Sequence, residues 1–378
     1  MMKKLLAAVM MTCTALSAQA WPMYDAFKKV GVEGNAQSLR VVDFSDSRRI
    51  TTSEGQSYGM FFALVANDPE AFEAMGRWTE DNLSRGDITK LLPMWLWGAK
   101  GEGAARTWGV IDTNNAVDSD VWIAYNYLEA GRLWNKPEYV ERARAMMELL
   151  KKEVRVVDNL GAVLLPGRVG FERDGNVKLN PSYYPLFILK RFAQEDAYWN
   201  AVYEGSLRAL LRSAPSGIAP DWAVFDKNGR FVQPFDEDTR IGSYNAIRTY
   251  MWAGMMSEAD PSRALLVRQF APMVRATREL NMPPEKVNVM DLSVNQAGSD
   301  GFGACLLSLL DNDKTAALSV RCLRRVRCSA RTITATCLCF MVRALMKSAL
   351  RLTETAVWCS RTIPTGLPRP PLQLNNDR

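Results

Sequence analysis

Four stretches of this 378-residue sequence set polar or aromatic groups at spacings suited to chemistry. In Thr51-Thr52-Ser53-Glu54-Gly55-Gln56-Ser57-Tyr58-Gly59-Met60, a carboxylate stands among small polar residues and glycine, just ahead of an apolar helix. On its own Glu54 reads as a first-turn acid favoured by the helix dipole. In Ala116-Val117-Asp118-Ser119-Asp120-Val121-Trp122, two carboxylates open a second helix. Acids there are ordinary caps, but an i, i+2 pair does not share a helical face, so one can cap while the other faces a cleft. Ser243-Tyr244-Asn245-Ala246-Ile247-Arg248 reads as a packed helix capped by Ser243. Leu92-Pro93-Met94-Trp95-Leu96-Trp97-Gly98 carries closely spaced indoles, usually core material, whose flat faces also suit stacking on sugar rings. Histidine is absent. That excludes Ser-His and Cys-His nucleophiles and His-ligated metals, leaving carboxylates, Tyr, Lys, Arg and Cys to do any chemistry.

The elements that must hold these groups are helices. Apolar residues recur at helical spacing at Val121, Trp122, Tyr125, Leu128 and Leu133, which predicts a helix over 118–134. Helices are likewise expected over 57–66, 69–83, 137–154, 181–194, 198–213, 243–256, 261–280 and 302–311, with Gly-, Asn- and Pro-containing loops between them. The run 222–231 turns at Lys227-Asn228-Gly229, a hairpin signal. Helix pairs with short connections predict an all-α domain; helix hairpins close into a toroid or stack into a solenoid, and periodicity does not separate the two.

Taken together, these motifs resemble family 8 of the glycoside hydrolases, and within it the endoglucanase type of bacterial cellulose synthesis. The resemblance covers residues 21–313. It is carried by Arg49 to Leu64 (R-I-T-T-S-E-G-Q-S-Y-G-M-F-F-A-L), the Trp95–Trp97 segment, Leu128 to Trp134 (L-E-A-G-R-L-W), Asn180-Pro181-Ser182-Tyr183 and Pro283-Pro284-Glu285-Lys286-Val287. It implies an (α/α)6 barrel with an open acidic cleft and inverting hydrolysis of β-1,4-glucan without a metal or other cofactor. Such chemistry needs one protonated carboxyl for the leaving oxygen and one ionised carboxylate to activate water. By resemblance Glu54 is the general acid, Asp118 lines the site of the distorted sugar, and Arg248 is a cleft arginine near the base. Trp95, Trp97 and Tyr183 are further candidates for sugar contacts. The implied partners are cellulose chains and the cellulose synthase machinery; xylanases and chitosanases of the same family leave those substrates open.

Two departures stand out. The family's general base is the Asp of S-Y-D-A-I-R, and this sequence has Asn245 there. An amide has no ionisable carboxylate to take the water's proton. The acidic run Asp236-Glu237-Asp238 lies close by in sequence as a substitute. In the second motif, Val117 and Ser119 replace residues usually Ser/Thr and Gly/Ala.

The two ends of the chain read differently from its body. Residues 1–20 carry Lys3 and Lys4, an apolar run and the small-x-small ending Ala18-Gln19-Ala20. This predicts a cleavable signal peptide and a periplasmic or secreted protein. No later stretch reaches the roughly 20 apolar residues of a membrane span. Residues 314–378 hold 12 of the 47 basic residues and only Glu354 and Asp377 among the acids, so the net charge of +6 belongs to the tail. The body is mildly acidic and carries no nucleic-acid footprint. Five of the seven cysteines follow residue 320, and aromatics dwindle to Phe340 and Trp358 beyond residue 314. Back-translated with permitted codons and read in another frame, 333–358 can spell a sequence resembling the family's usual C-terminal end. The expectation is a frameshift beginning between Lys314 and Arg331, with the barrel's last helix disrupted.

Overall fold

The computed structural model describes residues 21–310, residue 235 excepted. Among these residues the helices, in chain order, are α1 (Pro22–Gly31), α2 (Ser53–Val65), α3 (Pro69–Leu83), α4 (Val117–Trp134), α5 (Pro137–Leu150) and α6 (Leu186–Glu195). They continue as α7 (Tyr198–Ser213), α8 (Glu237–Arg240), α9 (Ala246–Met255), α10 (Pro261–Gln269), α11 (Ala271–Leu280) and α12 (Asp300–Leu310).

Two kinds of helix alternate. In α2 every residue from Gly55 to Leu64 is buried, in α4 every residue from Val117 to Gly131, and in α9 every residue from Ala246 to Gly254. A helix covered on all sides belongs inside a fold. By contrast α3, α5 and α7 bury one stripe and leave the other in water. The packing matches: α2 touches α3 and α4, α4 touches α5 and α6, α6 touches α7 and α9, and α9 touches α10 and α12. The result is an arc of inner helices (α2, α4, α6, α9, α12), backed by outer ones. This arc of paired helices is the all-α arrangement the sequence predicts, and it fits the barrel implied by the resemblance. The signal peptide, the tail and the seam expected between the last and first helix pairs lie outside the described residues.

Aromatic rings fill the middle. Trp122 of α4 meets Tyr58 at 5.9 Å and Phe61 at 5.1 Å from α2, Phe187 at 5.9 Å from α6 and Trp252 at 5.3 Å from α9. Edge-to-face ring pairs of this kind contribute about 0.5–1.5 kcal/mol each beyond their buried area. One residue thus joins four inner helices.

The structure refines several expected boundaries. The helix expected over 137–154 ends at Leu150, followed by a 3-10 turn and a strand, Val154–Val157. That expected over 181–194 splits into a 3-10 turn, Pro181–Tyr183, and α6, because Pro185 restricts the residue before it. The 261–280 helix breaks at Phe270 (φ −91°, ψ 10°), since Pro272 has no N–H to continue the ladder. The predicted hairpin is present: Asp226 Oδ1 accepts from the N–H groups of Asn228 and Arg230, both at 2.9 Å, and Phe225 pairs with Phe231. Short strands decorate the loops. The Trp95–Trp97 segment is one of them, Met94–Lys100, between Thr51–Thr52 and Thr107–Asn115 in a three-stranded antiparallel sheet.

Candidate active site

The first turn of α2 carries Glu54. Thr52 caps the helix, its Oγ1 accepting from Gly55 N at 3.0 Å. Gln56 pins it beneath: Oε1 accepts from Val41 N at 2.6 Å, while Nε2 donates to Met75 O at 3.2 Å and Thr79 Oγ1 at 3.0 Å. Glu54 itself is half-buried. Burial, then the charge of Asp118, pushes its carboxyl up to about 7 from an ordinary 4.5, against the smaller opposing pull of Arg248 and Ser53. A carboxyl poised there is protonated through mildly acidic conditions and able to give its proton away, as a general acid must.

Asp118 lies on the first turn of α4. The N-cap position is Ala116, and Asp118 covers a first-turn N–H instead, its Oδ1 accepting from Ser119 N at 2.8 Å. The first N–H, of Val117, donates to Pro166 O at 2.9 Å, and Asp120 is buried with Oδ2 accepting from Asn115 Nδ2 at 2.8 Å. Asp118 Oδ2 receives Arg248 Nη1 at 2.7 Å, with both side chains almost fully buried. Burial pushes the Asp118 carboxyl upward and the arginine opposes it. Ser119, the departure noted in the sequence, ties α4 to α2 through a 2.7 Å contact between its Oγ and Ser53 Oγ.

Across from these, Asn245 is the N-cap residue of α9 and Arg248 lies in its first turn. Arg248 Nη2 donates to Asn245 Oδ1 at 2.7 Å. Arginine only donates, so the amide oxygen is committed to it and the NH2 faces the other way. The expected Ser243 cap is not formed: Ser243 Oγ donates instead to Glu285 O at 2.7 Å. The cap comes from Asp221, whose Oδ1 accepts from the N–H groups of Ser243 (2.8 Å), Asn245 (3.1 Å) and Ala246 (2.7 Å).

Tyr183 covers this cluster. The Arg248 guanidinium lies 5.5 Å from its ring centroid, and its hydroxyl, pushed far upward chiefly by burial, also feels Asp118 and Glu54. Glu54, Asp118, Arg248, Asn245 and Tyr183 are therefore brought together. Tyr58, one turn along α2 from Glu54 and so on the same face, joins them at 3.4 Å from Arg248 Nη1. That i+4 spacing is the signal by which the sequence could have singled it out. Asp221 carried no comparable signal.

The two indoles stand apart from that cluster. Thr51 and Thr52, which precede Glu54, pair with Trp97 and Leu96. Trp97 stacks on Trp108 at 5.4 Å, meets Trp78 edge-on at 5.3 Å, and has the Arg40 guanidinium 4.8 Å from its ring. Trp95 is half-buried two residues away, on the same face of the strand. The acidic run proposed as a substitute base is engaged elsewhere: Asp236 with Thr239, Glu237 with Lys286 and Asp238 with Lys178. Among the described residues no cluster of acids and cysteines forms a metal site, and no helix is long and apolar enough to cross a membrane.

The chain is similar to several known proteins. The chain is 44% identical over 307 residues to an endoglucanase of Escherichia coli, covering 80% of this chain and 82% of that one. It is 40% identical over 310 residues to an endoglucanase of Xanthomonas axonopodis pv. citri, covering 80% and 79%. Among solved structures, the endo-1,4-D-glucanase of Vibrio fischeri superposes with a TM-score of 0.80 at 37% identity, covering 87% of this chain and 95% of that one. The family model for glycosyl hydrolases family 8 matches residues 1–345. An arc of buried inner helices, a raised glutamic acid at the start of one of them and these likenesses lead to one conclusion: the chain belongs to glycosyl hydrolases family 8 and has the (α/α)6 barrel fold of that family.

Proposed function

We propose that the site is that of an inverting endo-1,4-β-glucanase whose base side is impaired. The observation that carries this reading is Glu54, a half-buried carboxyl raised to about 7 by burial and by Asp118. Glu54 gives its proton to the leaving glycosidic oxygen. A water attacks the anomeric carbon from the opposite face, and its proton needs an acceptor. Asn245 offers none: an amide has no ionisable carboxylate to take a proton, and its oxygen already accepts from Arg248 at 2.7 Å. Asp118, Arg248 and Tyr183 hold the sugar at the point of cleavage, with Trp95 and Trp97 further along the chain of sugars.

The second reading, a glucan-binding remnant without turnover, is favoured by that same amide. An assay of reducing ends on soluble carboxymethylcellulose separates the two. Residual activity that disappears in Glu54→Gln supports a weak enzyme. No activity, restored by Asn245→Asp, supports the remnant. Silence in both the unsubstituted chain and Asn245→Asp defeats the glucanase reading.

In the cell, we place this protein in the periplasm after removal of residues 1–20, trimming or holding glucan beside the cellulose synthase machinery. Residues 314–378 we read as the product of a frameshift; DNA sequencing across codons 314–331 tests this, and a second frame interrupted by stop codons overturns it.

A further inference from the structure

Resting on the reading of this site as a β-1,4-glucan-cleaving centre, we propose that Asp221 is a positioning residue: it caps α9 from a distant loop and so fixes where Asn245 and Arg248 stand. The first turn of a helix leaves backbone N–H groups without partners inside the helix, and a residue at its start normally supplies an oxygen. Here both local candidates are diverted. Ser243 Oγ donates to Glu285 O at 2.7 Å, and Asn245 Oδ1 is taken by Arg248 at 2.7 Å. One oxygen of Asp221 does the work of both, accepting from three N–H groups at 2.7–3.1 Å.

Asp221 is itself braced. Its N–H donates to Ile241 O at 2.8 Å, and two residues earlier Ala219 N donates to the Tyr250 hydroxyl, further along α9, at 2.9 Å. Gly242 lets the strands of chain close up: a Cβ there would lie 2.2 Å from Ala219 O. The loop and the first turn of α9 thus form one block. Because Arg248 also reaches Asp118 at 2.7 Å, the Asp221 cap governs the spacing between the base side of the site and the acid side. Displacements of about 1 Å in such a constellation cost about 100-fold in rate.

The test uses the full chain carrying Asn245→Asp, so that turnover can be read. Asp221→Ala is expected to lower kcat about 100-fold with KM within about threefold. Asp221→Asn retains an acceptor oxygen and is expected to stay within about fivefold in kcat. In the otherwise unsubstituted chain, hydrogen exchange over 240–250 should quicken about fivefold or more in Asp221→Ala, and not in Asp221→Asn. Unchanged exchange and kcat in Asp221→Ala overturn the proposal. So does an Asp221→Asn loss as deep as that of Asp221→Ala, since it would make the charge rather than the acceptor essential. Should Asp221→Ala fail to fold, Asp221→Ser, whose shorter side chain cannot accept from all three N–H groups, takes its place under the same readouts and the same criteria. Should Asn245→Asp prove inactive, the glucanase reading fails by itself. Exchange, with cellopentaose affinity followed by tryptophan fluorescence, then judges Asp221: faster exchange with affinity kept within about threefold supports it, and unchanged exchange or a larger loss of affinity overturns it.

Discussion

The acid side and the base side of this site are built in opposite ways. On the acid side, Glu54 and Asp118 sit on α2 and α4, two helices buried on every face and tied together by Ser53 and Ser119. Functional side chains there are ionisable, and the protein sets their proton affinity through burial and mutual charge. On the base side, Asn245 does not titrate, and its turn is held by a carboxylate from another loop. The scaffold on both sides is intact; what differs is one atom, nitrogen for oxygen, at residue 245. On the proposed reading, the site keeps its arginine and its raised acid while lacking the group that completes the chemistry.

This contrast can be broken most sharply at residue 245. Asn245→Asp should raise turnover of soluble carboxymethylcellulose by about 10²–10⁴-fold, the ordinary worth of general base catalysis. In that background Glu54→Gln should remove a comparable factor, measured by the same reducing-end assay. A gain with Asn245→Asp that survives Glu54→Gln would place the proton donor elsewhere. Next in size, Arg248→Met strands the buried Asp118 and should cost about 3–5 kcal/mol in urea unfolding. A smaller loss would mean that Asp118 takes up a proton cheaply or finds another partner.

A pH experiment separates the two sides without touching turnover. The folded chain keeps a proton on Glu54 up to about pH 7, whereas the unfolded chain releases it near 4.5. The folded state therefore binds the extra proton between those values, and stability falls as pH rises through that window. Glu54→Gln should flatten this fall, leaving the variant relatively more stable than its parent at pH 8 than at pH 5 in thermal melts. Asn245→Asp adds a carboxylate beside Arg248 and should not reproduce that flattening. The smallest effect belongs to Ser119→Ala, which removes the contact to Ser53 and should cost about 1 kcal/mol.

Much of this arrangement was legible in the sequence where local pattern and local structure coincide. The 69–83 and 198–213 helices appear with the expected bounds because each buries one stripe, and the first also opens at Asp68-Pro69. The gathering of Glu54, Asp118, Asn245, Arg248 and Tyr183 followed from motif resemblance rather than from periodicity, which leaves their spatial order open. Illegible features were those made by tertiary contact. The Trp95–Trp97 strand has too short a run to be told from buried helix, and its pairing with Thr51–Thr52 is non-local. The cap on α9 was assigned to Ser243 by the usual local rule, and the rule failed because a loop some twenty residues earlier supplies a charged acceptor.

Gln56 carries a lesson about how such a site can change over time. Two residues after the acid, its amide grips Val41 on one side and Met75 and Thr79 on the other, fixing the rotation of α2 about its own axis. Each residue inserted or deleted between Glu54 and Gln56 would swing Glu54 by about 100° around that axis. Length variation is thus closed to this stretch, and drift has only single-letter exchange available. On the proposed reading, residue 245 is such an exchange, one side chain replaced with the frame of every helix untouched.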